Sequence, residues 1–332
     1  MSDTNTKEKQ ITVLEAINTA LVDAMEADEK VLVLGEDVAD PEEGGVVGVT
    51  RGLSSRFGDD RVRSTPISEQ AIMGAAIGSS LVGFKPVAEI MLMNFTTVAM
   101  DMIVNHAAKL RFMSGGQTHV PIVIRCMTGA GIQAGGQHSD YLESWFAHTA
   151  GIKVVAPSNP AEAYGLMRSA IDDPDPVLYI ENIISYFDKG DAPEGKESIP
   201  LGKARTMREG SDVTIVSYSR MANVAYAAAE TLAGDGVDAE VINLRTIAPW
   251  DREAVLTSVA KTGRLLVVHE AVKPFGVGAE IAAVVGKELF GKLKVPVERI
   301  GAPHSPVPFS KPLEDAFVPS AEKIVATVKS MV

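Results

Sequence analysis

The chain of 332 residues is long enough for two domains of ordinary size, and its composition, 46% hydrophobic and 22% charged, is that of a globular protein. The formal net charge of −12 and the lack of a basic run disfavour a nucleic-acid partner, and a single cysteine, Cys126, excludes an internal disulfide. The polar start MSDTNTKEKQ lacks the pattern of a secretory or mitochondrial address, and no apolar run reaches the roughly 20 residues of a membrane span. We therefore expect a soluble cytoplasmic protein that binds neither nucleic acid nor a membrane.

Strand-like and helix-like segments alternate along the first half of the chain. The apolar runs VLVLG, PVAEIM, PIVIRC, KVVAP and VLYIEN indicate strands. Between them, helical periodicity indicates helices in TVLEAINTALVDAMEA, SEQAIMGAAIGSSLVGF, FTTVAMDMIVNHAAKLRFM and NPAEAYGLMRSAI. Such alternation predicts a mainly parallel sheet covered by helices.

A polar segment rich in Pro and Gly, DKGDAPEGKESIPLG, separates this half from a second series of strands and helices. In the second series DVTIVSYS, AEVINLR, RLLVVHEA and PVERIGA indicate strands. The fold expected is α/β, with two open, mainly parallel-sheet domains. We place the first domain at residues 1–187, a linker at 188–204 and the second domain at 205–332.

Glu69 lies at the head of a helix that is otherwise small and apolar, and two interpretations are open. With Ser68 as N-cap, an acid in the first turn stabilises a helix by a few tenths to about one kcal/mol through the helix dipole. Alternatively the carboxyl is held in an apolar site because its proton is needed. Spacing alone does not separate these interpretations.

Other candidate motifs are weaker. None of the six histidines forms an i, i+4 pair with another histidine, so a zinc site is poorly supported. His138, in the Gly-rich loop TGAGIQAGGQHSD, is expected to be accessible and suited either to proton transfer or to a structural role. In FGVGAEI, Ile281 stands where a dinucleotide fingerprint needs a third Gly, so Gly276 and Gly278 indicate a tight helix start.

A series of motifs in chain order resembles one known family. They are LGEDV, TPISE, PVAEIM, AAKLRFMSGGQ, GGQHSD, GIKVVAPSNP, AIDDPDPVLYIEN, INLRTIAPWD and FGVGAEIAA, and the similarity runs from about Ile11 to Val328. They resemble the β subunit of the thiamin-diphosphate-dependent decarboxylating component of 2-oxo acid dehydrogenase complexes, of the pyruvate, branched-chain or acetoin type. The resemblance implies a pyrimidine-binding, transketolase-like domain followed by a transketolase C-terminal-like domain.

The resemblance also implies roles for particular residues. Glu69 would contact the pyrimidine ring of the cofactor and share a proton with it, while Glu36 would be a second acid that communicates with Glu69. Met91 and Phe95 would pack against the pyrimidine, and His138 would face the bound intermediate or the incoming lipoyl group. The catalytic residues expected are thus Glu69, His138 and Glu36. A structural potassium site would involve Ile122, Ala170, Asp173 and Asp175.

The partners are likewise implied by the resemblance. The chain lacks a diphosphate and magnesium motif, because GDG at residues 234–236 is followed at once by a strand and indicates a turn. An α subunit would therefore hold the Mg²⁺ and the diphosphate, in an α2β2 heterotetramer that is docked on a lipoyl acyltransferase core. The expected reaction is oxidative decarboxylation of a small 2-oxo acid of the pyruvate type.

Two alternatives stay open at this point. GGVVGVTRG and APHSPVPFS favour an acetoin dehydrogenase β subunit, whereas FGVGAEIAA favours the pyruvate and branched-chain enzymes. A non-catalytic assembly or docking subunit of the same fold is the other alternative.

Overall fold

The computed structural model of the chain describes residues 10–193 and 195–332. The strands are β1 (Gln10–Thr12), β2 (Val31–Gly35), β3 (Val62–Ser64), β4 (Lys85–Leu92), β5 (Val123–Thr128), β6 (Lys153–Val155), β7 (Val177–Asn182), β8 (Lys189–Asp191), β9 (Arg205–Arg208), β10 (Val213–Ser217), β11 (Ala239–Asn243), β12 (Thr246–Ala248), β13 (Leu265–Val272) and β14 (Glu298–Ala302). The α-helices are α1 (Val13–Ala27), α2 (Leu53–Phe57), α3 (Glu69–Leu81), α4 (Leu110–Met113), α5 (Gly136–Ser139), α6 (Glu143–Ala147), α7 (Pro160–Asp172), α8 (Arg220–Gly234), α9 (Arg252–Thr262), α10 (Val277–Glu288), α11 (Lys311–Phe317) and α12 (Ala321–Lys329).

The first sheet has seven strands in the order β12-β6-β7-β5-β4-β2-β3, and β12 alone among them runs antiparallel to its neighbour. Every residue of β5 and β7 is buried, as expected of parallel strands with helices on both faces. Helices α1 and α7 pack against each other on one face, and α3 covers β4 on the other. This sheet carries the site described below.

The second sheet has five strands in the order β14-β13-β10-β11-β9, with only β9 antiparallel. Its central strands β10 and β11 are buried throughout, and α8 and α12 pack together beside them. The α/β class with two mainly parallel sheets is therefore confirmed.

One expected helix is divided into three short helical segments of different geometry. The segment FTTVAMDMIVNHAAKLRFM forms a 3₁₀ turn at Met93–Thr97, a π-helical stretch at Asp101–Ala107 and then the short α4. The hydroxyls of Thr96 and Thr97 donate to carbonyls three residues earlier, at 2.6 and 2.8 Å, and such local bonds compete with regular helix. The apolar periodicity of this segment does not reveal its two changes of helical geometry. Such 3₁₀ and π-helical stretches are often found beside functional sites.

The two halves of the chain are joined by strand pairing as well as by the connecting segment. Strand β12, which follows β11 of the second sheet, pairs with β6 at the edge of the first sheet. Within the expected linker, Lys189–Asp191 forms β8, which pairs antiparallel with β1. The linker boundaries at 188 and 204 stay a prediction.

No helix in residues 10–193 and 195–332 combines the length and apolar character needed to cross a bilayer.

Candidate functional site

The candidate site lies where three parallel strands of the first sheet end. In the register of the sheet Gly35 of β2 is opposite Ser64 of β3 and Glu89 of β4, so the residues that follow these strands meet at one edge. A Cβ atom on Gly35 would approach the Cβ and carbonyl oxygen of Glu89 to 2.9 Å, so this close approach requires glycine. Ligand sites of open α/β sheets form outside such carboxyl ends.

Glu69 is the first residue of α3 and is buried, with 8% of its surface exposed. Ser68 occupies the N-cap position as expected, but its side chain makes no capping hydrogen bond. Within residues 10–193 and 195–332, the Glu69 carboxyl has no cation within ion-pair distance and no side-chain hydrogen bond. The helix places this carboxyl at its positive end, and the protein leaves its oxygens available to a ligand.

Glu36, directly after β2, is also buried. Burial, and then the charges of Glu69, Asp37 and Glu89, raise the pKa of Glu36 above its ordinary value. Glu36 and Glu69 therefore form a pair of interacting acids, in which Glu36 is held toward its protonated form.

Phe95 and His138 are brought together from different loops. Their ring centroids are 5.6 Å apart with the planes at 73°, an edge-to-face contact. Asn94 joins the two loops, because its side-chain amide donates to the carbonyl of Gly136 at 2.9 Å and to Asp140 Oδ2 at 3.1 Å. His138 lies on α5 with an exposed side chain, as the sequence predicted.

Met91 lies near the end of β4 and is half-buried beneath the Gly-rich loop at residues 44–49. Thr65, directly after β3, has a buried hydroxyl without a hydrogen-bond partner in the part of the chain that the structure describes. The structure thus places Glu36, Glu69, Met91 and Phe95 at the carboxyl edge of the sheet, with His138 against Phe95.

A buried ion cluster next to this edge was missed at the level of sequence. The Arg125 guanidinium donates to both oxygens of Glu181 at 2.7 Å each and to Glu89 at 2.5 Å, and the hydroxyl of Tyr186 also donates to Glu181. Burial raises the pKa of Glu89, while Arg125 opposes that rise. The signal was one charged residue inside each of the strand motifs PVAEIM, PIVIRC and VLYIEN, at Glu89, Arg125 and Glu181.

A second group of buried acids lies between the two halves of the chain. Burial raises the pKa of Glu143 and of Glu270 to about 7. The hydroxyl of Tyr218 donates to Glu143 Oε1 at 2.7 Å, while Glu143 Oε2 has no partner among the described residues. Glu270 accepts from the Ala130 amide at 2.7 Å.

The FGVG sequence has a packing explanation. His269 is fully buried, which lowers its pKa to about 4, and a Cβ atom on Gly276 or Gly278 would approach its ring to 2.7 or 3.0 Å. Gly276 is the N-cap of α10, so the predicted tight helix start is confirmed. These glycines make room for an imidazole of the neighbouring strand.

The carboxylates of the expected potassium site are engaged by basic side chains. Lys153 Nζ lies 2.8 Å from Asp173 and 3.3 Å from Asp175, and Arg111 binds Asp175 at 2.6 Å. Within residues 10–193 and 195–332, no three His, Cys, Asp or Glu side chains cluster to hold a metal. The potassium site at Ile122, Ala170, Asp173 and Asp175 stays a prediction.

Comparison with known proteins identifies the family. The model of the transketolase pyrimidine binding domain matches residues 9–186, and that of the transketolase C-terminal domain matches residues 202–324. The chain is 45% identical to the acetoin:2,6-dichlorophenolindophenol oxidoreductase subunit beta of Cupriavidus necator over 97% of both chains. It is 44% identical to the pyruvate dehydrogenase E1 component subunit beta of Rickettsia felis, over 97% of this chain and 98% of the relative. The chain belongs to the family of β subunits of thiamin-diphosphate-dependent 2-oxo acid dehydrogenases.

The fold of this β-subunit family member also agrees with solved structures. A split-gene transketolase, described as an inactive beta4 tetramer, superposes with a TM-score of 0.79 at 23% identity and covers 97% of this chain and 98% of its own. At that identity the likeness shows the fold alone. The resemblance inferred from the sequence is confirmed, whereas the roles of individual site residues stay predictions.

Proposed function

We propose that this chain is the β subunit of a heterotetrameric pyruvate dehydrogenase-type enzyme. It decarboxylates a small 2-oxo acid and transfers the acyl group to the lipoyl arm of an acyltransferase. The observation that carries the proposal is the buried Glu69 carboxyl, without a cation or hydrogen-bond partner in the described residues, at the carboxyl edge of a pyrimidine-binding domain.

The residues at this edge suit thiamin diphosphate. A free carboxyl at Glu69 and the unpartnered Thr65 hydroxyl offer polar atoms to an aminopyrimidine, and the half-buried Phe95 offers an aromatic surface. When bound, the cofactor supplies the electron sink for decarboxylation. The protein supplies position, proton transfer and exclusion of water.

Each side chain then has a distinct task. Glu69 would share a proton with a ring nitrogen of the bound cofactor, and its low exposure would limit the access of water to that contact. Burial and the neighbouring charge of Glu69 raise the pKa of Glu36, which couples the two acids. Phe95 and Met91 would pack against the ring. His138, which lies edge-to-face on Phe95, would face the acyl group or the lipoyl arm.

The remaining parts of the enzyme come from other chains. The sequence lacks a diphosphate and magnesium motif, so we assign Mg²⁺ and the diphosphate to an α subunit in an α2β2 assembly. An acyltransferase core, a cytoplasmic location and the potassium ion at the Asp173 loop belong to the same proposal. Activity therefore requires both subunits.

Acetoin cleavage is the second candidate. It is favoured by the 45% identity to the acetoin oxidoreductase subunit of Cupriavidus necator and by 44% identity to that of Bacillus subtilis, values that match those of the pyruvate dehydrogenase relatives. Both candidates give the site residues of this chain the same roles and differ in substrate.

The test is to co-express this chain with an α subunit and to measure dye reduction with thiamin diphosphate and Mg²⁺. Pyruvate and acetoin are compared in parallel, and each subunit is assayed alone. We expect the complex to use pyruvate with at least about tenfold higher kcat/KM than acetoin, a difference of about 1.4 kcal/mol. The reverse preference would select the acetoin candidate, and a loaded complex inactive on both substrates would contradict the proposal.

A further inference from the structure

The loop that carries His138 is held by two acids from the other half of the chain. It runs from Gly129, after β5, to Gly135, before α5. Glu314 Oε1, on α11, accepts the amides of Gly131 at 2.6 Å and Gln133 at 3.1 Å. Glu270 Oε1, on β13, accepts the Ala130 amide at 2.7 Å.

Both acids are buried and lie far from the loop in sequence. Glu314 is fully buried and Glu270 is 4% exposed. A carboxylate that accepts backbone amides makes charge-assisted hydrogen bonds, which are about twice as strong as neutral ones. Glu270, whose pKa burial raises to about 7, is only partly ionised at neutral pH. Three backbone amides of this loop thus donate to carboxyl groups of the second half of the chain.

The backbone of the loop needs such support. Gln133 has a φ of 58°, a conformation that a residue with a side chain rarely adopts. Gly135 has a φ of 72°, and a Cβ atom there would lie 2.4 Å from the Phe309 ring. Held in this way, the loop passes into α5 through a bond of 3.3 Å from the His138 amide to the carbonyl of Gly135.

We propose that Glu314 and Glu270 are positioning residues, which set the His138 loop against Phe95 from the second half of the chain. The proposal rests on the proposed function for the role of His138. It makes the second half of the chain a support of the active site, because Glu270 and Glu314 act through the loop that leads to His138. Asn94 binds both ends of α5, at the Gly136 carbonyl and at Asp140, and the two acids hold the loop that precedes this helix.

The experiment compares the assembled α/β complex carrying Glu314→Gln, or Glu270→Gln with Glu314→Gln, with the wild-type complex. Amide hydrogen exchange of peptides covering residues 129–139 measures how well the loop is held, and steady-state kinetics measures kcat and KM. For Glu314→Gln we expect exchange in the loop to rise about five- to tenfold, because the charge-assisted bonds weaken. The kcat should fall by a similar factor with KM within about twofold.

A double variant separates positioning from general support of the fold. In a His138→Gln background, followed at higher enzyme concentration, Glu314→Gln should leave the residual kcat unchanged, since the two changes act through one group. The matched control is Asp315→Asn, on the same helix but exposed and paired only with Lys311. It should alter neither loop exchange nor kcat.

Two results would overturn the proposal: unchanged loop exchange in Glu314→Gln, or an equal loss of kcat with and without His138. Failure of the proposed function has a different signature. A wild-type complex inactive on both pyruvate and acetoin contradicts that function, while loop exchange still reports whether the acids hold the loop.

Discussion

Two groups of buried acids lie side by side under the carboxyl edge of the first sheet and are treated differently by the protein. Glu89 and Glu181 share the fully buried Arg125, which compensates their charges. Glu36 and Glu69 have no cation within ion-pair distance in residues 10–193 and 195–332. A carboxylate paired with a buried cation serves the structure, whereas one without a cation leaves its oxygens available to a ligand. The comparison predicts that the first group governs stability and the second governs activity.

The largest effect is expected at Glu69. Glu69→Gln should lower the kcat of the α/β complex by about 10³-fold, because a neutral amide cannot share a proton with the cofactor. The free energy of unfolding should change by less than about 1 kcal/mol, since no ion pair is lost. Dye reduction and urea unfolding measure the two quantities, with the exposed Glu322→Gln as control. A variant that folds normally and keeps full activity would contradict the assignment.

The second-largest effect is expected at Arg125, where a substitution should reduce stability. Arg125→Met should lower the free energy of unfolding by about 3 to 5 kcal/mol, because two buried carboxylates lose their compensating charge. Urea unfolding at pH 7 measures the loss. The exposed Arg56→Met, which removes a surface pair with Glu26 and a contact with the Phe57 ring, should cost less than about 1 kcal/mol. Equal losses in the two variants would show that the buried cluster is not a structural unit.

The smallest effect concerns a buried acid outside both groups, Glu143, and it depends on pH. Burial raises its pKa from 4.5 to about 7, so the folded state holds a proton that the unfolded state releases between these values. The stability that this group contributes is present below pH 4.5 and is lost as pH rises to 7. Glu143→Gln should therefore be more stable than wild type at pH 8, by up to about 3 kcal/mol, and similar to it at pH 4.5.

Thermal or urea unfolding at several pH values gives that difference directly. Gln can keep the bond from Tyr218, and Glu29→Gln, on the exposed surface, serves as the control. A difference between Glu143→Gln and wild type that does not grow with pH would show that Glu143 is ionised in the folded protein.

Local patterns predicted much of this site. The alternation of strands and helices predicted two mainly parallel sheets, and the apolar helix after TPISE predicted the placement of Glu69 at its head. The same periodicity wrongly predicted one continuous helix within residues 93–113. The apolar spacing does not reveal the threonine hydroxyl bonds or the π-helical stretch that interrupt this helix. The hydrophobic pattern shows which face of a segment is buried. It does not show which backbone hydrogen bonds the segment forms.

Contacts between distant residues were beyond local patterns. Glu314 and Gly131 are 183 residues apart, and nothing near either residue indicates the pairing. Arg125 could have been suspected, because an arginine inside PIVIRC must find a partner. That its partners are Glu89 and Glu181 follows only from the order of β4, β5 and β7 in the sheet. The residue roles at the cofactor came from family resemblance, and the structure adds their surroundings.

The pairing of β12 with β6 has a consequence for how the chain can be divided. A cut between residues 191 and 205 would follow the boundary suggested by composition, yet it would strip the first sheet of its outermost strand. The newly open row of β6 amides and carbonyls would then invite pairing with another molecule. The first sheet is therefore completed by a strand from the second half of the chain, and a cut along this boundary would separate the two.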